Sequence, residues 1–388
     1  MAKRMKKSTP ARKPTRKERS RAAREARYNR WIVGGAIAVG ILLIGVLGYG
    51  YIAEVVIKGR QPVATVNGEP IPAASWQARV RELRSRMELE LAVYQQQRMA
   101  IDPTEPNAEF YLQQLDQEIR SLQTQLSDEY RLQIGQQMLQ QMAQEEIFRQ
   151  EAERLGISVT AGEVDQAIEQ FFGFDRTALT SSTTPVTGTT TITPTTSMTE
   201  EEFEQQYENY VNTVVKPSGL GVDGFRAMFE ASLLGQKVRE EVTSGIPTVV
   251  EQVKLDYIAL ASEEEADGVM ERLDQGEEWD TIVEELEADE ESSAYTNELD
   301  WRTGNFIAEQ FGETISQAVF EAPVGGYVGP ELGEGGRYYV LNVVGRETRE
   351  LDDFMLSYEK GIAFQEWLTD RMQTVEYSED WQERLPAN

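Results

Sequence analysis

The chain has 388 residues, 40% of them hydrophobic and 9% aromatic, enough to close about two globular cores rather than stay unfolded. It contains neither cysteine nor histidine, which excludes disulfides, a lipid-modified cysteine, thiolate nucleophiles, Cys- or His-based zinc sites, Ser-His-Asp triads and imidazole bases. The net charge of −28 is unevenly shared: residues 1–30 hold 13 Lys/Arg against Glu18 and Glu25, a local +11, which leaves −39 on the remainder, so that an acidic body repels nucleic acid and none is expected among its partners.

From Trp31 to Ala53 no residue is charged, and about 23 apolar residues can cross a ~30 Å hydrocarbon core. Trp31 at one end and Tyr49 and Tyr51 at the other suit the two interfaces. The pattern predicts a transmembrane helix at 31–53, a basic arm at 1–30 kept in the cytoplasm, and everything after it outside: a single-pass protein of the cell membrane. A cleaved signal peptide is the competing reading; its apolar region normally spans only ~7–15 residues. Ala36 and Gly40 form a small-xxx-small pair of the kind that lets membrane helices approach.

Beyond a short linker, Pro62 to Ile71 reads as a strand turning tightly at Asn67-Gly68. Trp76, Val80, Leu83, Met87, Leu91 and Tyr94 recur at helical steps until Asp102-Pro103 breaks the pattern. Residues 108–155 are Gln- and Glu-rich helix formers, more than one helix, stopped at Leu155-Gly156. Thr160 and Glu163 form a capping box ahead of Val164, Ile168 and Phe171, and Thr199 with Glu202 repeats it ahead of Phe203, Tyr207 and Tyr210. Between them, 177–199 is almost wholly Thr, Ser, Pro and Gly and reads as a flexible insertion. A helix near Asp223 carries Phe225, Met228, Phe229, Leu233 and Val238, either a core face or the lining of a client groove.

After Pro247 the pattern changes. Val253 to Leu260 alternates as a strand, Ser262 and Glu265 cap a helix ending at Gly276, and Trp279, Ile282, Val283 and Leu286 mark another. Glycine-rich turns at Gly325-Gly326 and Gly333 to Gly336 precede a strand from Tyr338 to Val344. From about Leu351 the chain is helical again, with Phe354, Tyr358, Ile362, Phe364 and Trp367 partly in register. The fold class is α+β: a transmembrane helix, a mostly helical domain at 62–250 containing the 177–199 insertion, an α+β domain at 251–347, and a C-terminal helical segment at 348–388 packing back on the helical domain.

Asn297-Glu-Leu-Asp-Trp301, Gly304-Asn-Phe-Ile307, Ala318-Val-Phe320, Gly325-Gly-Tyr-Val-Gly-Pro330 and Gly336-Arg-Tyr-Tyr-Val340 follow one another as in parvulin-type (PpiC-like) peptidyl-prolyl isomerase domains, which the segment 253–347 resembles. The preceding domain, from Val63-Ala-Thr-Val-Asn-Gly-Glu-Pro70 through Leu155-Gly-Ile-Ser-Val-Thr160 to Val242, is similar to the helical chaperone domain of SurA, PpiD and PrsA. Bonds preceding proline exchange over tens to hundreds of seconds, and lowering that barrier takes an apolar grip on the ring and stabilisation of a twisted amide rather than covalent chemistry. The resemblance implies that Leu299, Phe306 and Phe311 grip proline, and it places the family's polar slots at Tyr257, Asp289 (or its neighbour Glu290) and Tyr338. The family has histidine at the first and last of these; a phenol hydrogen-bonds but cannot copy a pair of imidazoles.

The resemblance implies a membrane-anchored extracytoplasmic chaperone or foldase that binds unfolded or proline-containing exported polypeptides near the secretion translocon, with weak or lost isomerase activity and no cofactor. Two alternatives stand: an active prolyl isomerase, and a non-catalytic translocon-associated scaffold.

Overall fold

A computed structural model describes residues 61–386 except 103, 105, 177–197, 290–291 and 334. The basic arm, the expected membrane span and nearly all of the Thr-rich segment lie outside the described residues. Among the described residues, no helix is long and apolar enough to cross a membrane.

Strands β1 (Pro62–Val66) and β2 (Glu69–Pro72) pair antiparallel around Asn67 and Gly68. Both turn residues have positive φ, 52° and 84°, the two-residue geometry that matches strand twist and that Asn-Gly tolerates. Helix α1 (Ala73–Ala100) ends just ahead of Asp102-Pro103, because a residue before proline is pushed out of helical backbone. Helices α2 (Ala108–Gln125) and α3 (Arg131–Leu155) divide the Gln/Glu-rich stretch. At the end of α3 the Ile157 amide donates back to the Ala152 carbonyl at 2.8 Å, closing the last turn.

Helix α4 (Ala161–Phe171) opens on the expected capping box, with Thr160 and Glu163 bonded reciprocally. Helix α5 (Glu200–Tyr210) opens on the same Thr199–Glu202 reciprocity and widens into a π-turn at Val211–Val215. Helix α6 (Gly221–Val242) leads to β3 (Val249–Leu260), then α7 (Glu263–Asp274), capped by Ser262 and Glu265, and α8 (Trp279–Ala288). Next come β4 (Tyr295–Arg302), α9 (Gly304–Phe311), α10 (Glu313–Glu321), β5 (Tyr327–Leu332) and β6 (Tyr338–Glu350). Helix α11 (Asp353–Met372), β7 (Val375–Tyr377) and a 3₁₀ turn at Trp381–Arg384 finish the chain.

The described residues divide into two compact units: those within 61–143, 204–225 and 376–386, and those within 144–203 and 226–375. In the first, β7 pairs beside β1 to give a sheet of order β2-β1-β7. Trp76 is fully buried there, donates its indole N–H to the Gly135 carbonyl at 2.9 Å and meets the Trp381 ring edge-on at 5.9 Å. Glu82, 1% exposed, accepts from the Tyr210 hydroxyl at 2.7 Å, and burial followed by the Glu82 charge pushes that phenol well above its ordinary range.

In the second unit, Ala152, Leu234 and Val238 form a small core against which Phe148 and Trp367 pack. Phe148 stacks on Phe364 and Trp367 at 6.0 and 6.4 Å, so α11 lies against α3. The same unit holds an antiparallel sheet of order β4-β3-β6-β5. One face carries Leu255, Tyr257, Leu341 and Val343 and is covered by Ile307 and Phe311 of α9 and Ile315 and Val319 of α10. The other carries Ile258, Leu260 and Val340 and is covered by α7 and by Trp279 and Ile282 of α8. Strands β4 and β5 carry no isolated sequence signal: Tyr295–Arg302 alternates weakly and Tyr327–Leu332 contains Gly329-Pro330, residues that ordinarily argue against a strand.

Candidate functional site

Strand β3 is central in the sheet, with Tyr257 opposite Asn297 of β4 and Leu341 of β6. Side chains alternate between the faces of a strand, so Tyr257 falls on the face covered by α9 and α10. There it meets Phe311, the last residue of α9, at a ring distance of 5.0 Å. Tyr339 of β6 stands 5.0 Å from Phe311 and 6.0 Å from Tyr257. The three rings make a triangle of edge-on and tilted contacts, an arrangement favoured by the aromatic quadrupole. Leu299 and Phe306 are half-buried and pack on the same cluster. Four of the residues singled out from the sequence, Tyr257, Leu299, Phe306 and Phe311, therefore converge.

Burial pushes the Tyr257 phenol up from its ordinary value; a hydrogen bond with the Asn297 side chain opposes the shift and the Tyr295 phenol adds to it. Tyr257 is thus neutral throughout the physiological range, a donor or acceptor of hydrogen bonds and not a base. Tyr295, 54% exposed and 6.1 Å from Tyr257, forms the solvent side of this polar margin.

Phe306 has further neighbours. Tyr358 of α11 meets its ring at 5.3 Å, Phe354 at 6.2 Å, and the Arg302 guanidinium stands 5.2 Å from its centroid. Tyr358 donates to the Glu309 carboxylate, Thr303 donates to Glu359, and the Asn305 amide donates to Glu359 at 2.8 Å. Helix α11 is thereby tied along α9, beside the ring resembling a proline-gripping position.

Tyr338 and Asp289 are placed elsewhere. Tyr338 packs with Ile258, Leu260 and Val340 on the opposite face, and its neighbour Tyr339 occupies the position facing Tyr257. Asp289 is exposed at the C-terminal end of α8, in the layer over that opposite face. Glu290 lies outside the described residues. Tyr339, Tyr295 and Asn297 were not singled out by the sequence. Alternation along β6 could have separated Tyr338 from Tyr339, but Val340 and Leu341 are both fully buried, and a strand covered on both faces reads as one continuous apolar run.

Chemically, the cluster offers apolar and aromatic side chains with neutral hydroxyl and amide groups at its margin; Phe311 and Tyr257 are buried, and Leu299, Phe306 and Tyr339 are half-buried. Its half-buried members can meet an apolar side chain, and the hydroxyl and amide groups can hydrogen-bond to a peptide. Among the described residues, no group of three His, Cys, Asp or Glu side chains is placed to hold a metal ion.

No protein-family model matches the chain, and no curated protein matches it by sequence. Among solved structures, it is similar to the peptidylprolyl isomerase PrsA from Bacillus cereus, with 12% identity, a TM-score of 0.36, and coverage of 63% of this chain and 82% of that one. It is similar also to the foldase PrsA of Streptococcus pneumoniae, at 15% identity and a TM-score of 0.26 over 62% of this chain and 85% of that one. A structure from work on SurA-like chaperones of Campylobacter jejuni matches at 12% identity and 0.19, over 63% of this chain and 88% of that one.

Proposed function

We propose that the chain is a membrane-anchored chaperone or foldase acting outside the cytoplasm on unfolded or proline-containing exported polypeptides, and that its parvulin-like domain has weak or no isomerase activity. The observation that carries this reading is the cluster in which half-buried Leu299 and Phe306 pack with buried Phe311 beside a neutral, buried Tyr257. Half-buried apolar side chains border this cluster and support contact with a peptide side chain, whereas its polar side has phenols and an amide and no ionisable imidazole. The uncharged segment from Trp31 to Ala53 between a basic arm and an acidic body supports the anchoring and the orientation. Tethering raises the local concentration of a binding domain near clients emerging at the same membrane.

The test uses the full chain in lipid nanodiscs. Aggregation of a chemically unfolded protein should slow in its presence, while a refolding reaction limited by proline isomerisation should keep nearly its uncatalysed rate. Failure to slow aggregation sinks the chaperone reading. Strong acceleration of the proline-limited phase would instead establish the active-isomerase alternative. Capture of one stoichiometric membrane partner, with no unfolded protein bound, would establish the scaffold.

A further inference from the structure

Helices α1 and α2 form a hairpin within the first unit, and its far end differs from its base. Near the base, Trp76, Val80 and Met87 are buried. Toward the tip, Met99, Phe110 and Tyr111 are 78%, 65% and 54% exposed. Side chains this large seldom stand open together without a partner. Between the helices lies an open cleft of about 430 Å³ whose lining includes Tyr94, Ile101, Pro106, Tyr111, Leu115 and Glu118.

The surroundings of the cleft are acidic. From Glu88 to Arg120 the sequence has seven Asp/Glu and two Lys/Arg, a net −5. Arg98, one of the two arginines, is already engaged by Asp116 across the hairpin. Glu118 is exposed and, among the described residues, has no cation paired with it. Glu90 accepts from the Tyr94 hydroxyl at 3.1 Å, and the Glu90 and Glu118 charges both hold that phenol above its ordinary value. Tyr94, Tyr111 and Glu118 thus line one cleft with Ile101 and Leu115, and Glu90 is bonded to the Tyr94 hydroxyl at its side. Aromatic faces together with carboxylates attract a guanidinium or ammonium, whose stem can lie along apolar surface.

We propose that the hairpin tip is a docking site for an extended polypeptide segment in which apolar side chains alternate with lysine or arginine. An apolar side chain enters between Tyr94, Ile101, Tyr111 and Leu115, and the neighbouring cation is held at Glu118. The site rests on the chaperone reading above and deepens it by naming the class of client segment and the place that receives it. An acidic rim selects against acidic segments, because like charges at an interface are costly to juxtapose.

The test is fluorescence anisotropy with the full chain in zwitterionic nanodiscs and two short labelled peptides, one alternating Leu and Arg, the other alternating Leu and Glu. The Arg peptide should bind, more weakly as salt rises, and the Glu peptide at least about tenfold more weakly. Glu118→Lys should weaken binding of the Arg peptide about tenfold, and Tyr111→Ala several-fold. Glu118 and Tyr111 are both exposed, so circular dichroism should show both variants folded; Glu118→Gln, which keeps shape and removes charge, supplies a second readout as a flattened salt dependence. Equal affinity of wild type and Glu118→Lys for the Arg peptide overturns the proposal. So does tip-dependent binding to phosphatidylcholine vesicles, or a concentration-dependent dimer lost on Tyr111→Ala. Aggregation suppression that persists unchanged in variants with unchanged peptide affinity removes the docking site and leaves the chaperone reading standing. Glu118-dependent peptide binding by a chain that suppresses no aggregation does the reverse.

Discussion

Phe311 is 1% exposed and shares its edges with Tyr257 and Tyr339 at 5.0 Å each, so truncating it opens a cavity among fixed neighbours. Phe311→Ala should cost about 3–5 kcal/mol, read as a lower denaturation midpoint. Leu299 is only half-buried on the same cluster. Leu299→Ala should therefore cost less stability than Phe311→Ala while removing any isomerase activity and weakening peptide binding at this cluster. The two tyrosines of β6 separate by face. If a paired imidazole is what the cluster lacks, Tyr257→His with Tyr339→His should raise the rate of proline-limited refolding, and Tyr257→His with Tyr338→His should not. Equal rates from the two double variants would remove Tyr339 from the site. Gly329 gives a backbone counterpart: its φ is 133° and an added Cβ would lie 2.5 Å from the Tyr339 carbonyl. Gly329→Ala should cost about 1–3 kcal/mol through backbone strain and displace the strand that carries Tyr339.

At the level of elements, the starts of α4, α5 and α7 are fixed by short side-chain reciprocity. Ser262 accepts from the Glu265 amide and Glu265 accepts from the Ser262 amide at the start of α7, and Ser262→Ala should cost about 1 kcal/mol. At the start of α4, Glu163 is held down to about 2 by Lys237, then by the Thr160 amide and hydroxyl. Lys237 reaches it from α6 at 2.6 Å. The folded value lies below the unfolded one, so this contribution is complete above the ordinary carboxylate value of 4.5 and disappears as pH falls toward about 2. An acid titration followed by thermal unfolding should show a loss across that window in the wild type, and Glu163→Gln should flatten it. The tie between α11 and α9 is a third such device: Tyr358 and Glu359 fasten to Glu309, Thr303 and Asn305. They hold aromatic side chains of α11 against Phe306, so one flank of the candidate site is supplied by an element outside the sheet and its own covering helices.

For the whole molecule, the last residues complete the first sheet. Ser378 donates its amide to the Val63 carbonyl at 2.9 Å, Gln77 donates to the Arg384 carbonyl at 2.6 Å, and Trp381 meets Trp76. Removing 375–388 should leave β1 without a neighbour on one side and expose Trp76, visible as a red shift of tryptophan emission and a lower unfolding temperature. Protease protection in sealed vesicles addresses the proposed orientation: the acidic body should be digested from the outer face only.

The hairpin turn at Asn67-Gly68, the capping boxes at Thr160, Thr199 and Ser262, and the amphipathic run from Trp76 are legible because each depends on residues within a few positions of one another. Leu299, Phe306 and Phe311, which the resemblance puts in one site, pack in one cluster; that they share a cluster is what the order of motifs made legible. Sequence alone also determined that no imidazole or thiol chemistry is available, since composition admits no exception. What only the tertiary structure decided is which of two adjacent tyrosines faces Tyr257, that Asn297 and Tyr295 border it, and that a helix from the C-terminal segment flanks Phe306. The cause is that β6 is buried on both faces and its pairing partners lie far away in the chain, so neither alternation nor local spacing carries the register; it is set when distant strands and helices pack.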